Sequence, residues 1–396
     1  MPLVSFKTEL KPNNKQKILF AKHAGVARHA YNWGLATCFQ ALEKGEKLLT
    51  AIDLHKRLVA EVKSKYEWYY EVSKCSPQQA LRNLSTAFKN WWVHKYTKKP
   101  RFKKKGHHDS FYLDGSIKIS GNRFRLPRIG WVNVHENLPC VTPKNVTISR
   151  HADRWFISFK YELDKQNTPK IRERIGVDIG INSLATCSDG TVVKNRKAYR
   201  KHKRKLARLQ RNLARKQKGS KNRKKAKLKL ARQHKKVVQI RKDTIHKLTS
   251  WLAKNHREIV IENLNVSGML KNHRLASAIA NCGFYEFRRQ LEYKTEWYGS
   301  KLIIAHRFYP SSQLCSNCQN RQKISLSKRV YECENCSLKI DRDLNASINL
   351  ELYPTTDSLS GSKACGESDQ LNSKSVKDSV KQEVNIHPMK SGNLTN

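Results

Sequence analysis

No apolar run in this sequence approaches the roughly 18 residues that a membrane-spanning helix needs. The opening stretch, MPLVSFKTELKPNNKQ, has neither the apolar core nor the cleavage site of a secretory signal. A soluble intracellular protein with no membrane partner is therefore expected. Acidic residues are scarce: 32 Asp and Glu stand against 79 Lys and Arg, a net charge of +47. The basic excess is spread along most of the chain rather than gathered on one amphipathic helix or cluster, which argues against a membrane surface and for a polyanion partner. The fifteen histidines show no zincin or triad spacing and take no role. No repeat of solenoid length is present.

The chain does have cores to build. Its 396 residues suffice for about two to three domains, and 38% apolar residues with 8 Trp and 12 Phe exclude global disorder. From Lys15 to Trp92 apolar residues recur at helical spacing (Ile18, Leu19, Val26, Ala30, Trp33; Leu54, Leu58, Val62; Leu81, Leu84, Phe88), which predicts three helices. Ser76-Pro77 reads as the cap and first turn of the third. From Ser110 to Leu163 short β-type runs alternate with Asp-Gly, Gly-Asn and Pro signals, as in a small antiparallel sheet or barrel. The basic linker Lys98–Lys105 lies between the two.

Arg174–Val193 reads as three short strands. Lys194–Lys242 then carries 24 Lys and Arg in 49 residues and no acid. Leu206, Leu209, Leu213, Leu228, Ala231 and Val238 keep an apolar stripe through it, and Lys218-Gly219-Ser220 breaks it, so a basic helical hairpin with one packed face is expected. An acid-free charge run favours nucleic-acid contact over a merely solvated face, with Lys203, Arg204, Arg208, Arg211, Arg215 and Lys224 as candidates. Trp91, Trp92, Tyr96 and Phe102 stand beside basic residues and could stack on bases, although core packing suits the first two equally well. A strand (Glu258–Leu264), a helix (Leu275–Tyr298), another strand (Lys301–Arg307) and a last helix near Asp343 follow, and strands alternating with helices argue for an α/β core. From 354 to 396 the composition predicts a disordered tail.

Two constellations carry chemistry. Cys315 and Cys318, then Cys333 and Cys336, form two CxxC pairs at the separation of a closed tetrahedral thiolate shell for a structural zinc. Cys38, Cys75, Cys140, Cys187, Cys282 and Cys365 have no partner signature and read as core fillers or surface residues. The second is a set of acids: Asp178 ends the apolar run Ile175-Gly176-Val177, Glu262 ends Ile259-Val260-Ile261, and Asp343 opens a helix. Each alone reads more readily as a turn or capping residue. Together on one α/β domain they match the oxygen ligands of two Mg²⁺ ions in a phosphodiesterase.

The sequence resembles the TnpB (OrfB) proteins of insertion sequences, relatives of type V CRISPR effector nucleases. The resemblance is carried by Gly176–Gly180, Ile259–Leu264, Phe308–Cys315, Asp341–Ala346, Glu286–Lys294 and Ala27–Trp33, in family order over residues 1–353. It implies an RNase H-like RuvC nuclease core with Asp178, Glu262 and Asp343 as its acidic triad, Asp341 being a support residue. The implied domains are a helical, HTH-like recognition domain with the first barrel strand (1–105), a wedge-like β-barrel (106–170), the nuclease domain (171–310) with a basic hairpin (194–250), an inserted zinc ribbon (311–340) and a last nuclease helix (341–353). It also implies a guide RNA from the transposon end, a double-stranded DNA target beside a short flanking motif, and a prokaryotic, nucleoid-associated setting. The alternatives are a transposase or recombinase acting on transposon ends, and a nuclease-inactive guided repressor, which the full set of acids argues against. One departure stands out: the family's knuckles read CxxCG, whereas Gln319 and Ser337 hold the glycine positions here.

Overall fold

A period of two governs the first residues. In the computed structural model, which describes residues 3–94, 97–162, 164, 168–325 and 328–354, strand β1 (Leu3–Lys11) buries Val4, Thr8 and Leu10 and turns Lys7 and Glu9 to the other face. Asn13 then caps helix α1 (Asn14–Glu43) in a reciprocal box with Gln16. Helix α2 (Ala51–Arg57), extended by a π turn at Leu58–Lys63, and helix α3 (Cys75–Val93) complete the three expected helices. α1 and α3 meet at Gly34, where a Cβ would fall 2.7 Å from Leu81 Cδ2, so the close approach needs glycine. The start of α3 differs from expectation. Lys74 precedes it with no side-chain cap, and the buried Ser76 hydroxyl instead donates to the Tyr112 carbonyl at 3.0 Å, tying helix to sheet.

Strands β2 (Ser110–Asp114), β3 (Lys118–Ser120), β4 (Arg123–Leu126), β5 (Gly130–Val134), β6 (Asn145–His151) and β7 (Arg154–Glu162) join β1 in an antiparallel sheet. Its order is β2-β6-β7-β1-β5-β4-β3, so the N-terminal strand is central. The end strands β2 and β3 are linked through Gly115, and no ladder closes them into a barrel among the described residues. Sheet and helices share one core, in which the Phe20 ring lies 5.2 Å from Trp155 and 5.8 Å from Phe111.

A second core follows. Strands β8 (Arg172–Asp178), β9 (Ser183–Cys187) and β10 (Val192–Lys194) form an antiparallel meander. The basic segment folds as helices α4 (Ala198–Ala214) and α5 (Lys221–Asn255), parted at Gly219 with Ser220 capping α5. Leu206 and Val237 pack between them, whereas Val238, expected inside, is exposed because the α5 face that meets α4 runs one residue earlier. Strand β11 (His256–Ile261) then enters beside β8, in parallel, and stops before Glu262, earlier than the expected Leu264.

After helix α6 (Val266–Met269), the long helix expected at Leu275–Tyr298 is two, α7 (Ala276–Cys282) and α8 (Phe284–Tyr298). Gly283 sits between them at φ 74°, a conformation only glycine adopts cheaply. Strand β12 (Lys301–Ile304), shorter than expected, completes a sheet of order β10-β9-β8-β11-β12. A hairpin of β13 (Val330–Glu332) and β14 (Lys339–Asp341) leads into helix α9 (Arg342–Glu351), which lies against β8. A Cβ on Gly176 would collide with the α9 backbone at Ser347 and Glu351. The expected tail lies, beyond Pro354, outside the described residues.

Candidate active site and metal centre

Parallel pairing of β8 and β11 decides where two of the acids go. Val177 is in register with Ile261, so Asp178 and Glu262, the next residues, leave the same end of neighbouring strands. Asp343 comes from the first turn of α9, held against β8. All three are half-buried. Desolvation pushes the Asp178 carboxyl up to about 8, and the charges of Glu262 and Asp343 add to the shift, so the acids form one electrostatic cluster. Burial also raises Glu262, against the stabilising hydrogen bond donated by the buried Ser311 hydroxyl. Asp343 has Arg342 at 3.4 Å and Arg329 at 4.0 Å.

Asp341 has a different position. Its Oδ1 accepts the backbone N–H groups of Asp343 and Leu344, both at 3.0 Å, which makes it the N-cap of α9. A cleft of about 400 Å³ opens beside Glu262, lined by Ile179, Asn265, Tyr285, Arg288 and Arg289 among others.

The four CxxC cysteines converge. Their Sγ atoms lie within 4.8 Å of one another, with Cys315 3.5 Å from Cys336 and Cys318 3.6 Å from Cys333. A tetrahedral zinc at about 2.3 Å from each sulfur separates sulfurs by about 3.8 Å, so the spacing fits. Donors around the rim favour thiolates. The Asn320 N–H and Asn335 side chain pull Cys318 down to about 6, and the Leu338 N–H and Asn317 side chain lower Cys336. Burial raises Cys315 to about 11, an effect that metal charge would offset. Gln319 and Ser337 adopt φ of 59° and 57°, the left-handed geometry that glycine suits. Among the described residues this is the one group of three or more His, Cys, Asp or Glu with mutually close ligand atoms. The three carboxylates are spread wider. Of the other cysteines, Cys38, Cys187 and Cys282 are buried, Cys75 is half-buried and Cys140 is exposed, while Cys365 lies outside the described residues.

Two α9 asparagines that the sequence reading overlooked join this module to the acids. Asn345 and Asn349 both donate to the Leu314 carbonyl at 2.7 Å, Asn349 also donates to that of Ser311 at 2.8 Å, and Asn345 accepts from the Ser316 N–H. The spacing Asn345, Asn349 at i, i+4 on an otherwise apolar helix face was the available signal.

Lys203, Arg204, Arg208, Arg211, Arg215 and Lys224 are all exposed on the hairpin, away from the Leu206–Val237 seam. Trp91 packs half-buried on the helical core. Trp92 is 56% exposed and Phe102 53%, and Tyr96 lies outside the described residues.

Comparison with known proteins adds to this geometry. A family model described as "Probable transposase" (OrfB, IS605 type) matches residues 158–273, the family's helix-turn-helix domain matches 1–47, and a Cas12f1-like TNB domain matches 284–350. A "Putative RNA-guided DNA endonuclease" of Streptomyces pristinaespiralis is 34% identical over 391 residues, 96% of each chain. Escherichia coli InsQ, which carries the same description, is 35% identical over 88% of this chain and 91% of its own. In fold, the chain is similar to the mini-RNA-guided endonuclease CRISPR-Cas phi3, with a TM-score of 0.50 at 9% identity over 88% of this chain and 92% of that one.

Proposed function

Because this chain belongs to the OrfB (TnpB) family, we propose that it is an RNA-guided DNA endonuclease that cuts through the acidic cluster at the ends of β8 and β11. The observation that carries the reading is the register: Asp178 and Glu262 stand side by side beyond Val177 and Ile261, with Asp343 close enough to act on the Asp178 charge. Mutual repulsion of this kind in a half-buried place is relieved by cations. Asp178, Glu262 and Asp343 would hold two Mg²⁺, and their wider spread suits ligands shared between ions rather than one closed cage. The ions, when bound, would polarise the phosphate and activate water for in-line hydrolysis without a covalent intermediate.

The chain's own residues prepare that site. Ser311 fixes one Glu262 oxygen, leaving the rest of the carboxylate for a ligand role. Asp341 secures the first turn of α9 and so the place of Asp343. Cys315, Cys318, Cys333 and Cys336 would hold a structural zinc with no open position. Through Asn345 and Asn349 the zinc module braces the same helix.

The sheet order, third-second-first-fourth-fifth with an antiparallel meander and two parallel strands, supports an RNase H-like, RuvC-type core over 171–310 and 341–353. Residues 1–105 and 106–170 would form recognition and wedge-like domains, and the exposed cations of the 194–250 hairpin would line a nucleic-acid channel. The partners are then an RNA from the transposon end and a double-stranded DNA target.

A transposase reading draws on the description of the matching family model, and would yield strand-transfer products from the same acids. The test is a guide swap. The chain is co-expressed with RNA from its own flanking DNA, the guide portion is replaced, and plasmids with randomised flanks are supplied. Cutting that follows the new guide supports the proposal; cutting indifferent to the guide, or an intact RNA-loaded complex that binds without cutting, contradicts it.

A further inference from the structure

A short loop, residues 310–314, runs between the sheet that ends at Glu262 and the first pair of cysteines, and its polar groups reach both ways. The Pro310 carbonyl accepts the N–H groups of Gln313 and Leu314 at 2.8 and 3.1 Å, which folds the loop into a tight turn. Ser311, within that turn, is buried. Its hydroxyl donates to Glu262 Oε1, and its carbonyl accepts from Asn349 Nδ2 at 2.8 Å. One residue therefore touches an acid of the cluster with its side chain and the helix of Asp343 with its backbone.

Asn349, fully buried on α9, is the other half of the link. Its Nδ2 also donates to the Leu314 carbonyl at 2.7 Å, its side-chain oxygen accepts from the Gln319 amide at 3.4 Å, and its backbone carbonyl accepts from Tyr309 Oη at 3.0 Å. Gln319 directly follows Cys318 and donates to the Cys315 carbonyl at 3.1 Å, so the link ends on the first cysteine pair. A glycine, usual at that place, has no side chain with which to reach α9. Apolar packing of Leu350 with Val260 and Ala305 holds α9 against the sheet, but such packing is non-directional. Hydrogen bonds are directional, and these fix where α9, and Asp343 with it, stands relative to Glu262.

We propose that Ser311 and Asn349 are positioning residues of the acidic cluster, and that through them order in the four-cysteine module sets how tightly Glu262 and Asp343 together hold a divalent cation. The proposal rests on the metal-site reading of the acids above and adds a means of regulating it. Zinc on the cysteines would order the turn and Gln319, and with them the spacing of two carboxylates that come from separate elements. Mg²⁺ tolerates little error in that spacing. Coupling between sites is reciprocal, so a cation on the acids would tighten zinc by the same factor. Gln319 gives this chain a contact for that coupling which a glycine could not make.

The test titrates the full-length chain with Mn²⁺, a spectroscopic substitute for Mg²⁺ read by electron paramagnetic resonance. The protein is first stripped of metal, then measured with and without one equivalent of zinc, beside Ser311→Ala, Asn349→Ala and Asp178→Asn. Zinc should tighten Mn²⁺ binding by about five-fold or more in the wild type, and Asn349→Ala should lose most of that effect. Ser311→Ala removes one hydroxyl and keeps the carbonyl, so it should fold even where Asn349→Ala does not. It should shrink the zinc effect while its zinc affinity, measured without Mn²⁺, stays at the wild-type value. A merely structural role would lower the melting temperature of both variants and leave the zinc effect intact. Wild-type Mn²⁺ affinity indifferent to zinc, or an undiminished zinc effect in folded Ser311→Ala, overturns the proposal. Mn²⁺ binding that is absent from the wild type, or unchanged in Asp178→Asn, overturns instead the metal-site reading on which it rests.

Discussion

Asp178 shows how a proposed metal ligand strains the protein that carries it. Its carboxyl titrates near 8 in the folded chain against an ordinary 3.8. The folded state therefore binds the proton more tightly, and the stability this group contributes is complete below the unfolded value and is lost as pH rises through the folded one. Metal-free Asp178→Asn escapes that loss. Its melting temperature should exceed that of the wild type by a gap that widens from about pH 4 to about pH 8, while cutting disappears; a constant gap would show that the acid is not under this strain. Asp341 caps α9, and Asp343 is the proposed ligand. Asp343→Asn should abolish cleavage, whereas Asp341→Asn, which keeps a capping oxygen, should retain most of it, and the opposite result in a single-turnover assay would exchange their roles. The juxtaposition of Asp178 and Glu262 is foreshadowed in the sequence because acids closing apolar runs are costly and conspicuous. Ser311, Asn345 and Asn349 are not, because polar residues of those types are ordinary until the fold brings distant carbonyls and carboxylates to them.

At the scale of elements, the four-cysteine module departs most visibly from the family pattern. Ser337 holds a left-handed φ of 57° with a side chain where a glycine is usual, a strain of about 1 kcal/mol. Ser337→Gly should therefore bind zinc up to roughly five-fold more tightly. Gln319→Gly should gain less, since the Gln319 amide donates to the Cys315 carbonyl at 3.1 Å and that bond would be lost. Competition with a chromophoric chelator measures both, and unchanged affinity in Ser337→Gly would show that the strain is borne elsewhere. Element types were read well where periodicity was strong, as in the hairpin broken at Gly219. Ends and breaks were read less well. Gly283 divides a run that looks helical throughout, and β11 stops at Ile261 because the apolar texture of Leu264 belongs to a loop packed on the second core rather than to a ladder. The capping role given to Ser76 failed for a related reason: the sheet competed for its hydroxyl.

Across the whole molecule, the charge of +47 and the acidic cluster set opposite demands. The basic surface gathers phosphate backbone, and the acids would repel it unless cations intervene. Metal dependence is therefore the property that most directly tests the acidic cluster. Composition announces a polyanion partner but not where it lies, since that depends on side chains the fold brings together from distant parts of the chain. The most direct measurement is the rate at which the RNA-loaded protein cuts guide-matched DNA as Mg²⁺ is titrated, for the wild type, Asp178→Asn and Glu262→Gln. Cutting should require Mg²⁺ and fall by at least about three orders of magnitude in both variants, as loss of roughly 4 kcal/mol of transition-state stabilisation would give. Wild-type rates in either variant, or undiminished cutting without divalent metal, would contradict the proposed metal site.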